Sequence, residues 1–239
     1  MQKLLSKLRR AVNDFKLIES GDKIAVGLSG GKDSITLLHL MSKYRIFSPE
    51  KFELIAITID PGTGADFSPM ANLCKDLDVP FHLIPSDIKQ VVFDIRQEKN
   101  PCSLCANLRR GILNDTAKQL GCNKVSLGHH KNDAIETLLM SMFYEGRISS
   151  FLPKTYLSRK DIYIIRPMIY IDELDIKSIA KKNNFPIIVN PCPANGFTKR
   201  QFIKDLTYSL EKEIPGLKNH LLGSLMNVDQ LNIWDKNKY

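Results

Sequence analysis

No apolar run in these 239 residues approaches the roughly 18 needed to cross a bilayer, so no membrane span is expected. The N-terminal stretch MQKLLSKLRRAVNDFKL also lacks an apolar signal region, and a cytoplasmic chain without a membrane partner is expected. No internal repeat, low-complexity block or convincing linker interrupts the sequence. With 43% hydrophobic residues, one α/β domain is the economical organisation. Acidic residues are in deficit, 26 against 34 Lys and Arg, leaving a net charge of +8 that leans toward a polyanionic partner. Cysteine is sparse: Cys74, Cys102, Cys105, Cys122 and Cys192 are the five. In a chain expected in a reducing compartment, disulfides are disfavoured and metal or redox chemistry is favoured.

What is present is organised around Lys23–Ser34, KIAVGLSGGKDS. Ile24, Ala25, Val26 and Leu28 form a short apolar run with no helical spacing, the pattern of a buried strand. Ser29-Gly30-Gly31 follows, and a helical pattern opens at Asp33 with Ile35, Leu37, Leu38 and Met41 apolar. Strand, glycine turn, helix is how backbone N–H groups and a helix N-terminus converge on an anion. Lys32 adds a cation, and Ser29 and Ser34 add hydroxyls. Asp33 places a carboxylate beside the expected phosphates, which a bridging Mg²⁺ would reconcile. The spacing is neither that of the Walker loop nor GxGxxG. SGGKDS resembles the PP-loop of the ATP pyrophosphatases, which cut ATP between its α and β phosphates.

Further strands are expected at Phe52–Asp60, Pro80–Pro85, Lys124–His129 and Ile162–Pro167. Helices are expected at Ala65–Asp78, from Cys102 to about Leu120, at Ala134–Tyr144 and at Asp172–Asn184, the last capped by Asp172. Phe185–Asn190 reads as extended, and 198–239 reads as two helices broken at Pro215-Gly216 and then a polar tail. Alternating strands and helices argue for a parallel sheet covered on both faces. The N-terminal basic helix is either packed with a solvated basic face or in direct contact with nucleic acid.

Cys102 and Cys105 form C-x-x-C at a helix start, where thiolates are stabilised. Alone, this is a zinc half-site, a thiol pair, a cluster half-site or nothing. Gly128-His129-His130-Lys131-Asn132-Asp133 leaves the fourth strand at its C-terminal end, where open parallel sheets bind ligands. Asp133 is either a site carboxylate or a helix N-cap. Cys74 and Cys122 read as structural.

SGGKDS, CSLCANLRRGIL followed by LGHHKNDAIETLLMSMFYEG, and FPIIVNPCP with KRQFIKDL behind it stand in one order. Together they resemble the tRNA 2-thiocytidine biosynthesis family of iron–sulfur tRNA sulfurtransferases, from roughly Leu17 to Val228. The resemblance implies a single PP-loop ATPase domain over 1–239. It would have a five-stranded parallel Rossmann-like sheet, a basic N-terminal helix (1–20) and a C-terminal helical extension (198–239). It implies a transferase that adenylates C2 of a pyrimidine, most simply cytidine, and inserts sulfur. Cys102, Cys105 and Cys192 would hold a [4Fe–4S] cluster with one iron open. Ser29, Gly30, Gly31, Lys32, Asp33, Ser34, Gly128 and His129 would hold ATP, with Mg²⁺ on Asp33. Asp33, Asp133 and Arg109 would be catalytic. The family form is GHHxDD, and this chain departs from it at Asn132. Partners would be tRNA, a sulfur donor such as a cysteine desulfurase system, and a second copy in a homodimer. The tRNA surface would draw on Lys3, Lys7, Arg9, Arg10, Arg147, Lys154, Arg159, Lys199, Arg200 and Lys204. Two other readings are a PP-loop ligase without sulfur chemistry and a zinc-stabilised nucleic-acid-binding module.

Overall fold

The computed structural model describes residues 1–96, 101–188 and 199–230, without the side chains of Cys102 and Gln230. The chain divides into two compact units, Met1–His130 with Leu152–Gly196, and Lys131–Phe151 with Phe197–Tyr239.

The first unit is built on a six-stranded sheet. In chain order its elements are α1 (Gln2–Asp14), β1 (Lys23–Gly27), α2 (Lys32–Phe47), β2 (Glu53–Asp60), α3 (Ser68–Asp76), β3 (Phe81–Pro85), a π-helical turn (Gln90–Ile95), α4 (Pro101–Gln119) and β4 (Lys124–Ser126). The second unit contributes α5 (Lys131–Glu145), and β5 (Lys154–Leu157), β6 (Ile162–Ile165) and α6 (Glu173–Lys182) return to the first. Sheet order is β3-β2-β1-β4-β6-β5. Five strands are parallel, at the five places the sequence suggests, and β5 pairs antiparallel with β6 as an added edge.

Ala25 pairs with Ile55 and Val125, and Val125 with Ile164. This row packs against Leu113 and Ala117 of α4 in one buried cluster. Residues of opposite parity, Ile24, Val26, Leu54, Ala56 and Ile165, are equally buried. Burial on both faces explains why these strands read as continuous apolar runs rather than as alternations. From β1 the chain steps to β2 and then β3 in one direction, and from β3 it crosses back to β4. Because such crossovers are right-handed, α2 and α3 cover one face and α4 the other. The direction of winding therefore reverses between the neighbours β1 and β4, which is where open α/β sheets bind ligands beyond the strand C-termini.

The other end of the sheet is closed by a buried charge network. Lys124 at the start of β4 is 2% exposed and lies 2.7 Å from Asp22, itself 4% exposed. Asn123 Nδ2 donates to the other Asp22 oxygen at 2.7 Å, and Asn123 Oδ1 accepts from Lys23 N–H. α1 buries Leu4, Leu8, Ala11 and Val12. Its Lys3 and Lys7 both pair with Asp175 of α6, at 3.1 and 2.8 Å.

The second unit joins α5 to α7 (Lys199–Glu213) and α8 (Leu217–Ser224). Ile135 and Leu139 of α5 meet Ile203 of α7, with Met140 and Leu221 packed alongside. No helix among the described residues is long and apolar enough to cross a membrane.

Candidate active site

In the first unit, the turn between β1 and α2 is held by its own side chains. The Ser34 hydroxyl accepts from Ser29 N–H and from Ser29 Oγ, each at 3.1 Å, and donates to Gly31 O at 3.0 Å. In this state Ser34 shapes the loop, and Ser29 stands nearer its opening. Gly31 is the extended cap residue of α2, so the helix starts at Lys32, one residue before the expected Asp33. Gly30 has φ +80°, a left-handed conformation that favours glycine. A Cβ there would lie 3.0 Å from Ile188, whose N–H donates to Gly30 O at 2.9 Å. The extended segment after α6 is thus stitched to the loop.

Lys32 Nζ lies 2.9 Å from Asp33 Oδ2 and 3.1 Å from Glu173 Oε1. Burial pulls the lysine pKa down, but the bonds to Asp33 and Glu173 outweigh it and hold the group above its ordinary value. Glu173, buried on the first turn of α6, is absent from the sequence-derived site. Asp172 caps that helix as expected, accepting from Leu174 N–H at 3.0 Å. The pair Asp172-Glu173 reads in sequence only as a helix start. Asp33 Oδ1 is buried with no hydrogen-bond partner, 3.6 Å from Nε2 of the buried His130. An orphaned carboxylate oxygen beside a glycine turn fits a hard cation bridging to phosphate.

The exit of β4 closes on the same turn. A Cβ on Gly128 would lie 3.1 Å from the Asp33 carbonyl carbon, tighter than an ordinary contact, so glycine eases the close approach of these backbones. His129 follows it, half-buried. The helix starting at Lys131 makes Asp133 its third residue, which removes the N-cap reading. In the second unit, considered alone, Arg200 Nη1 lies 3.2 Å from Glu136 Oε2 and 4.0 Å from Asp133 Oδ1. Burial first, then the Asp133 charge, raises the Glu136 pKa. Asn132 is buried beside them in sequence.

Cys105 is half-buried on α4, and Arg109 lies one helical turn further on, with its Nε buried and without a hydrogen-bond partner. Gly27, the last residue of β1, sits against Leu113. Cys105 precedes Leu113 by eight residues, about 12 Å of helix, so α4 carries Arg109 and Cys105 past the C-terminal edge of the sheet. The Cys102 side chain and Cys192 lie outside the described residues. Among the described residues no three His, Cys, Asp or Glu side chains form a metal-binding group. The donor chemistry of three cysteines, two of them one turn apart on a helix, suits an iron–sulfur cluster. Burial pushes the Cys74 and Cys122 thiols up to about 12 and about 11, which leaves them inert, as expected of structural cysteines.

Most of the cations proposed to meet RNA face the protein's own groups. Arg10 pairs with Asp14 and lies 4.9 Å over the Tyr170 ring, Lys154 pairs with Glu19, and Arg147 with Glu145. Lys199 lies 4.6 Å over the Tyr144 ring.

A family model described as the PP-loop domain matches residues 2–207. The tRNA-cytidine(32) 2-sulfurtransferase of Geobacter sulfurreducens is 39% identical over 241 residues, spanning 98% of this chain and 93% of that protein. The Coxiella burnetii protein of the same name is 38% identical over the same shares of both chains. Among solved structures, the U34-tRNA thiolase NcsA from Methanococcus maripaludis with its [4Fe-4S] cluster superposes with a TM-score of 0.78. It is 25% identical, over 98% of this chain and 80% of that one.

Proposed function

From the premise that the chain belongs to the PP-loop family of tRNA-cytidine 2-sulfurtransferases, we propose that it converts a cytidine of tRNA to 2-thiocytidine, at position 32 as its relatives' names state. The enzyme is an ATP-dependent tRNA sulfurtransferase. The observation that carries the residue-level reading is the Ile188–Gly30 hydrogen bond. It ties the segment that runs into Cys192 to the loop that runs out of β1. Cys192 is four residue steps beyond Ile188, a chain reach of at most about 14 Å. α4 meanwhile brings Cys105 to the same edge of the sheet as that loop. Nucleotide activation and sulfur delivery can then serve one carbon.

The chemistry follows from what each group offers. The C2 oxygen of cytidine is a poor leaving group. It attacks the α-phosphorus of ATP, the bond to the β-phosphate oxygen breaks, and pyrophosphate departs. Backbone N–H groups of Gly30–Ser34 at the start of α2 receive the phosphates. Lys32 neutralises charge accumulating on the departing pyrophosphate, and Asp33 Oδ1 offers a ligand for Mg²⁺. Gly128 permits the close approach of the β4 exit, and His129 lines the nucleotide. Sulfur then bonds to C2, and AMP leaves with the former C2 oxygen. Cys102, Cys105 and Cys192 would hold a [4Fe–4S] cluster, which would supply the sulfur-transfer chemistry. Arg109 supports negative charge beside it, and Asp133 handles a metal ion or a proton. The sulfur comes from a donor such as a cysteine desulfurase system.

Mass spectrometry of tRNA nucleosides from cells with and without this chain tests the reading. Loss of 2-thiocytidine on deletion, restored by the wild-type chain, is expected. Unchanged 2-thiocytidine would reject the substrate assignment. A colourless preparation with zinc and no ATP use would favour the binding module instead.

A further inference from the structure

Lys32 lies between two carboxylates from different elements. Its ammonium, with three N–H donors, spans Asp33 at 2.9 Å and Glu173 at 3.1 Å, leaving a third N–H for a phosphate oxygen. Glu173 is 6% exposed and sits on the first turn of α6, where the helix dipole favours a carboxylate. Its other oxygen is 3.5 Å from Lys177, one turn along. Asp33 reaches the opposite way, with Oδ1 buried and 3.6 Å from His130. The β4 exit, the start of α2 and the start of α6 therefore set His130, Asp33, Lys32 and Glu173 in a row. Were Glu173 absent, drawing Asp33 onto a cation would leave the half-buried Lys32 ammonium without a carboxylate partner among the described residues, a costly state for a partly desolvated charge.

We propose that Glu173 is a positioning residue for metal–nucleotide binding: it keeps Lys32 paired and aimed when Asp33 releases it to bind Mg²⁺. This rests on the nucleotide reading of the loop. Glu173 acts through Lys32, which stands between it and Asp33, and not as a ligand itself. Without Glu173, Asp33 is the one carboxylate left paired with Lys32 among the described residues, and Mg²⁺ must compete with the lysine.

The test reads binding, not turnover. The full chain is held at saturating fluorescent, non-hydrolysable ATP analogue, and the Mg²⁺ concentration for half-maximal signal is measured. Glu173→Gln raises that concentration about fivefold, while in a Lys32→Met background the same change moves it less than about twofold, the non-additivity expected of a shared partner. Should Glu173→Gln fold poorly, Lys32→Met alone tests the same statement, because Asp33 is then unencumbered and less Mg²⁺ is needed than in the wild type. Equal Glu173→Gln shifts in both backgrounds, no shift in either, or an increased Mg²⁺ requirement in Lys32→Met would overturn the assignment of Glu173 alone. A wild-type chain that takes up no analogue with or without Mg²⁺ would overturn the nucleotide reading together with it.

Discussion

Gly30→Ala probes the contact on which the residue-level reading depends. Gly30 sits at φ +80°, and an L-residue held in the left-handed region costs about 1–2 kcal/mol. The new methyl would also lie 3.0 Å from Ile188 Cβ and Cδ1 and 3.1 Å from Cγ1. Carbon atoms pack well at about 3.5–4.0 Å, so either the loop or segment 185–188 must yield, an overpacking cost of about 1–3 kcal/mol. Urea unfolding of Gly30→Ala should therefore show a loss of about 2–5 kcal/mol as the sum of these two effects. Ile188→Gly removes all three crowding atoms and keeps the Ile188 N–H. In that background Gly30→Ala should cost only the backbone part, about 1–2 kcal/mol, so the double-mutant cycle returns a coupling of about 1–3 kcal/mol. Additive changes, or a single-variant loss under about 0.5 kcal/mol, the usual size for a site without special contacts, would refute the seating of Ile188 on the loop. With it would go the reason for bringing Cys192 to the nucleotide.

Cys102→Ala, Cys105→Ala and Cys192→Ala should each lose iron and thiolation while retaining ATP binding; Cys74→Ala should keep its iron, and iron unchanged in the first three would end the cluster assignment. Asp22→Ala leaves the buried Lys124 ammonium only the more distant Glu19, at 3.8 Å, among the described carboxylates and should cost about 3–5 kcal/mol in urea unfolding, whereas Asp22→Asn with Lys124→Met should recover most of that loss. His39 stacks on Phe185 at 4.4 Å, and burial first, then Lys43, lowers its pKa. The unfolded chain then takes up a proton at His39 near pH 6.5 while the native chain resists it, so this contribution is complete above about pH 6.5 and is lost as pH falls toward the native pKa. Denaturation midpoints should decline over that acid window in the wild type and less so in His39→Gln; parallel pH profiles would show that His39 is not the group responsible.

The central strands and the loop were legible because local and global preferences agree there. Ile24–Leu28 is apolar throughout since both faces of β1 are covered, and Ser29-Gly30-Gly31 can only be a turn. β5 was missed because KTYL is short, only partly buried and on the sheet edge, so it lacks the apolar signature of its neighbours. α3 begins at Ser68, three residues later than expected, because Asp66 accepts from Ser68 N–H and Pro69 favours a first-turn position. Glu173 left no local signal for a different reason. Its role beside Lys32 exists only once α6 has folded onto α2, whereas its place after a capping aspartate is fully explained within its own helix.

Net charge alone does not say which cations an RNA would meet. Every internal ion pair removes one charge of each sign, so the surplus of eight survives any amount of pairing and must be displayed somewhere. It need not be displayed by the cations that stand out in sequence. Lys3 and Lys7 are committed to Asp175, whereas Arg9 and Arg159 are exposed and have no carboxylate partner among the described residues. Each cation that meets a phosphate contributes about 0.7–0.9 to the slope of log affinity against log salt. Arg9→Gln or Arg159→Gln should therefore lower that slope for tRNA by nearly one, with weaker binding at every salt concentration. Lys3→Gln with Lys7→Gln should leave the slope within about 0.3 of the wild type, well short of one full phosphate contact. If the lysine pair instead lowers the slope by close to two, those ammonium groups exchange Asp175 for phosphate on binding, and the packed reading of α1 describes only the RNA-free protein.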